Sequence, residues 1–276
     1  MKSFLRGAAL AGGALLAVKA LDTRLEVTSY DIKSNKIPKS FDGYKIIHLS
    51  DYHNDTVPEL IWEIRDENPD IIVCTGDMAD DKGTYIPALR LTEKLAKIAP
   101  CYMVTGNHDL WRGDYSKMEE DMQRVGAYFL HNERIFISKN SEKIALSGID
   151  DPFYSGNSRI KPYLSNAAGK VSGFDGYNIL LFHRANLLDE FTGYGFDLIL
   201  SGHMHGGHVR IPGVGGVASP RSSWQDSENI LFPKYFGGMF KVDDTTMIVN
   251  RGLGNPTIIP RVFNRPEMIV ITLHSD

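Results

Sequence analysis

Ser201-Gly202-His203-Met204-His205-Gly206-Gly207-His208 packs three imidazoles and three glycines into eight residues, directly after the apolar run Leu198-Ile199-Leu200. A hydrophobic core has no use for that composition. Histidines at i and i+2 project from the same side of an extended chain, so His203 and His205 converge on one point when the backbone is strand-like there. A point that gathers imidazoles is a metal-type site. Glycines beside it permit the tight turns and open space that a ligand-binding loop at a strand end requires. The stretch thus predicts a strand delivering ligands from its C-terminal end.

The same arrangement recurs upstream. The apolar run from Tyr44 to Ser50 delivers Asp51-Tyr52-His53, the run from Ile71 to Thr75 delivers Gly76-Asp77-Met78-Ala79-Asp80, and the run from Cys101 to Thr105 delivers Gly106-Asn107-His108-Asp109. Helical spacing over 57–68, ended by Pro69, separates the first two, and helical spacing over 86–98 separates the second two. In open α/β sheets the C-terminal strand ends are where ligands bind. A helix over 115–125 and strands over 134–138 and 143–149 follow. Asn178 to Phe182 form a strand ending at His183, and further strands are expected at 239–242, 246–249 and 268–273. Residues 22–43 read as a lead-in strand and hairpin. Residues 150–176, with Pro152, Gly156, Pro162, Gly169, Gly173 and Gly176, read as surface loop, and 212–238 as a substrate-facing loop.

The 276 residues, 42% of them apolar, are enough for one large core. A formal charge of -4 and a pI near 6.1 supply no basic face, so nucleic acid is not an expected partner. Cys74 and Cys101 lie in apolar strand-like runs, where free cysteine behaves as a small hydrophobe. At the N-terminus Lys2 and Arg6 precede about a dozen apolar or small residues ending at Val18. That is the length of a signal-peptide apolar region and short of the roughly 20 residues a spanning helix needs. Residues 1–21 are therefore expected to be a signal peptide or membrane anchor and 22–276 the catalytic domain, in a membrane-associated or exported protein of the cell envelope.

Collected, the strand ends offer Asp51, His53, Asp77, Asn107, His183, His203 and His205. Seven oxygen and nitrogen ligands exceed one tetrahedral ion and suit two adjacent ions of borderline hardness, with manganese preferred and iron or zinc as alternatives. One carboxylate must bridge, and Asp77, on the middle strand of the series, is placed to do so. Singly, each residue has a plainer reading: an aspartate caps a helix, a Gly-Asn pair makes a turn, a histidine beside a strand is structural. Jointly those readings fail. His131 and His274 fall in no such cluster.

The order Asp-x-His, Gly-Asp-x-x-Asp, Gly-Asn-His-Asp, a lone His, then Gly-His-x-His resembles the calcineurin-like metallophosphoesterase superfamily across residues 44–208. Gly202 to Pro212, Pro233-Lys234-Tyr235, Asn250 to Gly254 and Phe263 to Glu267 look like its YkuE-like branch, a group of membrane- or envelope-associated phosphoesterases. At position 208 the branch usually carries glutamine, and the histidine here departs from it. The resemblance implies a central β-sandwich of two mixed sheets flanked by helices. It further implies that Asp51, His53 and His205 hold one divalent ion and Asn107, His183 and His203 the other, with Asp77 between. Two such ions, about 3.5–4 Å apart, would supply a bridging hydroxide for attack on phosphorus. His108 would protonate the leaving group with Asp109 steadying its ring, and His208 and Arg210 would contact the substrate phosphate. The expected activity is a metal-dependent phosphoric ester hydrolase, on diesters in preference to monoesters, with an envelope or lipid-linked substrate. The rival readings are a scaffold that kept the fold without catalysis, disfavoured by the complete ligand set, and a metal-dependent nuclease, disfavoured by the missing basic groove.

Overall fold

Alternation along the apolar strands decides the layering, because successive side chains of a strand face opposite sides of its sheet. In the computed structural model, residues 18–155, 159–218 and 231–276 are described. A first sheet is built from β1 (Glu26–Ser34), β2 (Tyr44–Leu49), β3 (Ile71–Cys74), β4 (Cys101–Met103), β5 (Ala127–Phe129) and β14 (Glu267–Ser275). A second is built from β6 (Glu133–Lys139), β7 (Glu142–Ile149), β8 (Asn178–Arg184), β9 (Leu198–Gly202), β12 (Gly238–Val242) and β13 (Thr245–Val249). Their strand orders are β1-β14-β2-β3-β4-β5 and β12-β13-β9-β8-β7-β6. Between β9 and β12, β10 (Arg210–Ile211) and β11 (Gly215–Gly216) form a two-stranded ladder of their own.

Ile46, Ile71, Val73, Ile269 and Ile271 face Ile179, Leu181, Leu198 and Leu200 in the layer between the sheets. Their neighbours Ile47, Ile72, Cys74 and Val270 point the other way, under α1 (Leu60–Glu67), α2 (Ile86–Ala96) and α4 (Tyr115–Arg124), the last of which follows the short α3 (Asn107–Trp111). On the far face, Leu180, Phe182 and Ile199 pack under α5 (Ile160–Val171). Each fully buried Ile or Leu adds roughly 1.5–3 kcal/mol of apolar transfer. The result is the expected α/β architecture of two mixed sheets flanked by helices. β2 to β5 run parallel, as do β7, β8, β9 and β13. Parallel neighbours end at a common edge, which is why the motifs meet there.

Two local readings differ from the structure. Residues 150–176 are not all loop: α5 spans 160–171 and buries Ile160, Leu164, Ala167, Ala168 and Val171. Pro162 lies in its first turn, where the missing N–H would have had no helical partner, so the proline does not break it. The lead-in segment is not a hairpin, since β1 pairs in parallel with β14 from the opposite end of the chain. Cys74 and Cys101 are free and buried. Most of the N-terminal apolar segment, residues 1–17, and part of the 212–238 loop, residues 219–230, lie outside the described residues. Among those described, no helix is long and apolar enough to cross a membrane.

Candidate metal centre

The chain turns sharply as it leaves each strand. Asp51, His53, Asp77, His203 and His205 all adopt positive φ, between 46° and 72°. Non-glycine residues rarely occupy that region, and such strain concentrates at functional sites where surrounding structure over-determines it. The bracing is visible: His53 N–H donates to Asp77 O at 3.1 Å and Gly254 N–H to Asp51 O at 2.7 Å. Glycine is needed at two close approaches. A Cβ at Gly106 would overlap the backbone nitrogen and Oδ1 of Asp77, and one at Gly202 would overlap Ser50 Oγ and Asp51 Oδ2.

These turns gather buried ligand-type atoms into two groups, Asp51 with His53 and His205, and Asp77 with His183 and His203. In the first, His205 Nε2 lies 3.4 Å from Asp51 Oδ1 and 3.3 Å from His53 Nε2. In the second, His183 Nε2 lies 3.1 Å from Asp77 Oδ2 and 3.2 Å from His203 Nδ1. Asp77 Oδ2 is also 3.7 Å from His53 Nε2, so this carboxylate faces both groups. Asn107 opens α3 and is buried, and its Oδ1 has no hydrogen-bond partner. An orphaned buried carbonyl oxygen is costly. Together with facing imidazole nitrogens, which need a shared proton or cation between them, it fits a cation-binding role for this donor set.

The supporting shell is equally specific. His183 Nδ1 donates to Thr75 O at 2.7 Å, which aims its Nε2 at the centre. His203 N–H donates to Asp51 Oδ2 at 2.9 Å. Burial resists a charged imidazole at His183, but the Asp77 and Asp51 carboxylates outweigh it and push its pKa up to about 10. Burial likewise acts on Asp77, yet His183, His108 and His53 hold its carboxyl well below the usual range. His48, in β2, belongs elsewhere: burial pushes it down to about 3, and its Nε2 bonds Thr75 Oγ1 at 2.9 Å.

His108 lies in α3 beside the first group, edge-on to His53 with ring centroids 4.7 Å apart. Its Nδ1 is 3.2 Å from Asp80 Oδ1 and 3.3 Å from Asp81 Oδ1. Those carboxylates occupy the place expected of Asp109. The Asp109 carboxylate instead accepts the backbone N–H groups of Asp77 at 2.8 Å, Gly106 at 3.0 Å and Ala79 at 3.2 Å. It ties the two motif loops together, because a buried carboxylate takes the nearest unsatisfied donors.

His208 stacks on His205, with centroids 5.4 Å apart and planes 12° apart, and burial lowers its pKa to about 4. Arg210 is turned away from it, over the Phe236 ring at 5.5 Å, into an open groove. Asn264 Nδ2 donates to His205 O at 2.7 Å and His208 O at 3.0 Å. Arg261, nearly fully buried, places Nη2 3.0 Å from Arg251 O and 3.5 Å from His205 Nδ1. Sequence reasoning assigned Asp80, Asp81, Arg261 and Asn264 no role. Asp80 was visible as the last residue of Gly-Asp-x-x-Asp and Asn264 within Phe263 to Glu267, whereas nothing in the chain's order marks Arg261.

Comparison with known proteins agrees with this geometry. The profile of the calcineurin-like phosphoesterase family matches residues 44–207. An uncharacterized metallophosphoesterase of Bacillus subtilis, YkuE, is 32% identical over 99% of this chain and 97% of its own length. The Escherichia coli phosphodiesterase YaeI is 24% identical over 83% of this chain and 82% of its own. The Mycobacterium tuberculosis phosphopantetheinyl hydrolase PptH shares the fold, with a TM-score of 0.51 at 11% identity, over 78% of this chain and 91% of that one. With the motifs in order and their side chains gathered at one edge of the sandwich, the chain belongs to the calcineurin-like phosphoesterase family, in its YkuE-like branch, and is a metal-dependent phosphoester hydrolase.

Proposed function

We propose that this protein is a two-cation phosphohydrolase acting on phosphodiesters in preference to monoesters, with an envelope or lipid-linked substrate. The observation that carries the reading is the position of Asp77, whose Oδ2 lies 3.1 Å from a nitrogen of one ligand group and 3.7 Å from a nitrogen of the other. In this reading Asp51, His53 and His205 hold one divalent ion, Asn107, His183 and His203 the other, and Asp77 serves both. The oxygen and nitrogen donor set favours manganese, with iron or zinc as alternatives. When bound, such ions polarise the phosphoryl oxygens and acidify water at neutral pH, so that no protein nucleophile is required.

The chain's own residues do the rest. His108, backed on Nδ1 by Asp80 and Asp81, keeps Nε2 for the leaving-group oxygen and returns a proton to it. Thr75 O and Asp51 fix the ring of His183 and the backbone of His203, so the ligand cage is set before substrate arrives. His208, neutral and stacked on His205, lies at the rim where a phosphate oxygen would be met; Arg210 supplies charge in the adjoining groove. Diester preference draws support from the relative YaeI, named a phosphodiesterase. Residues 1–21 are assigned as a signal peptide or membrane anchor, supported by Lys2, Arg6 and the apolar run that follows.

The deciding experiment follows hydrolysis of bis-p-nitrophenyl phosphate and p-nitrophenyl phosphate by metal-stripped protein, with manganese, zinc and iron restored one at a time. Turnover that returns with metal and is faster on the diester is expected. Turnover independent of metal would refute the reading.

A further inference from the structure

Several of the exposed large apolar side chains gather beside the metal centre. Leu21, Ile211, Val214, Phe232, Ile258 and Ile259 protrude, Val214 at 63% exposure and Ile258 fully exposed. They come from four separate segments fastened to one short piece of backbone. Val209, next after His208, bridges to Val262, and Phe263 N–H donates to Ala20 O at 2.7 Å. Val217 N–H donates to Val209 O at 2.8 Å and Phe232 N–H to Val217 O at 2.9 Å. The strand and loop that carry His205 and His208 therefore carry this apolar rim as well.

Leu21, Ile211 and Val214 of this set line a groove of about 1350 Å³ with a mixed charge lining, while Phe232, Ile258 and Ile259 stand outside it on the segments fastened to the same backbone. Its acids are already taken: Asp22 pairs with Arg24 at 2.7 Å, and Glu26 with Arg251 at 3.2 Å. Arg251 in turn holds Glu267 at 2.7 Å. Lys19 and Arg210 form no ion pair among the described residues, so the charge left over is positive. The chain enters the groove at Val18, and the sequence before it carries Lys2 and Arg6, a run of apolar residues, and no carboxylate before Asp22.

From protruding apolar tips, uncompensated cations and the apolar, basic stretch of sequence that precedes Val18, a residue of the groove, we infer that this face docks on an anionic lipid bilayer. It seats the metal centre at the headgroup layer. A fluid bilayer accepts separated tips of Ile, Val, Leu and Phe at several heights, whereas a fixed protein partner requires a continuous complementary surface. Lys19 and Arg210 add attraction to anionic headgroups that falls off within a Debye length. The inference deepens the proposed envelope location but does not depend on catalysis.

The test uses the full chain and vesicles of phosphatidylcholine with or without phosphatidylglycerol. An environment-sensitive fluorophore is attached at Ile258→Cys, at Val214→Cys and, as a control on the far edge of the first sheet, at Tyr128→Cys, the exposed residue of β5. The native Cys74 and Cys101 are buried and do not compete for label. The probes at 258 and 214 are expected to brighten on anionic vesicles and to be quenched by nitroxide lipids, while the probe at 128 stays unchanged. Val214→Asp with Ile258→Asp and Ile259→Asp should weaken vesicle affinity on the order of tenfold, while leaving hydrolysis of soluble bis-p-nitrophenyl phosphate unchanged. If the full chain sediments with vesicles but probes 258 and 214 respond no more than 128, contact runs through the N-terminal segment alone and the inference falls. It falls too if the chain ignores anionic vesicles. A wild-type chain that docks as described yet hydrolyses no ester with any metal would instead refute the phosphohydrolase reading.

Discussion

Replacing Asp77 by asparagine removes one negative charge and almost nothing else. The amide keeps the shape of the side chain, and its oxygen can still accept the His108 N–H that reaches Asp77 Oδ1 at 2.7 Å. The carboxylate lies 3.1 Å from His183 Nε2 and 3.7 Å from His53 Nε2, one nitrogen from each ligand group. At separations near 4 Å and an effective dielectric near 20, a unit charge pair is worth about 4 kcal/mol. At about 1.4 kcal/mol per factor of ten, that is roughly a thousandfold. Asp77→Asn should therefore lower kcat/KM for bis-p-nitrophenyl phosphate by about three orders of magnitude and cost affinity for both ions, with the fold intact. The assay pairs steady-state kinetics with elemental analysis of bound metal and a thermal melt. A folded variant that retains two equivalents of metal and turns over within tenfold of wild type would refute the shared-carboxylate reasoning.

His108→Ala should cut turnover roughly 10²- to 10⁴-fold on esters with poor leaving groups and far less on p-nitrophenyl esters, which need no proton. Equal losses on a leaving-group series would remove His108 from the acid role. A pH effect on stability is expected outside the centre, at His131, whose hydrogen bond to Asp150 raises its pKa from 6.5 to about 9. A folded pKa above the unfolded one means this stabilisation is complete below about 6.5 and is lost as pH rises through about 9. The ring is 40% exposed, so after solvent screening it is worth no more than about 1 kcal/mol. His131→Gln should flatten the difference in urea midpoint between pH 6 and pH 9.5, and an unchanged difference would refute the assignment.

The strands that carry the site were legible because apolar runs of four to seven residues are bounded by motif residues, and strands so placed in an α/β chain end in ligands. α5 was not legible. Gly169 and Pro162 punctuate it as they would a loop, although its apolar residues Ile160, Leu164, Ala167 and Val171 fall at helical spacing and are buried against β7 and the turns at 152–155 and 185–191. The partner of β1 was hidden for a different reason. It pairs with β14 over a separation of more than 200 residues, and no local pattern records such a contact.

At the centre, the chemistry is written into the order of residues: which oxygen and nitrogen donors exist, how they follow one another, and their delivery from strand ends. Residue types and spacings up to about five positions carry that information, because both follow from the geometry of a single strand and turn. Which donors meet is settled by packing alone. The left-handed turns at Asp51, His53, Asp77, His203 and His205 rotate these side chains onto one another, a conformation no isolated peptide of this sequence would favour. The same packing assigned Asp109 to three backbone N–H groups and left Asp80 and Asp81 to His108. Carboxylates a few residues from a motif histidine look alike in the linear chain, and only their distances to donors on other strands tell them apart.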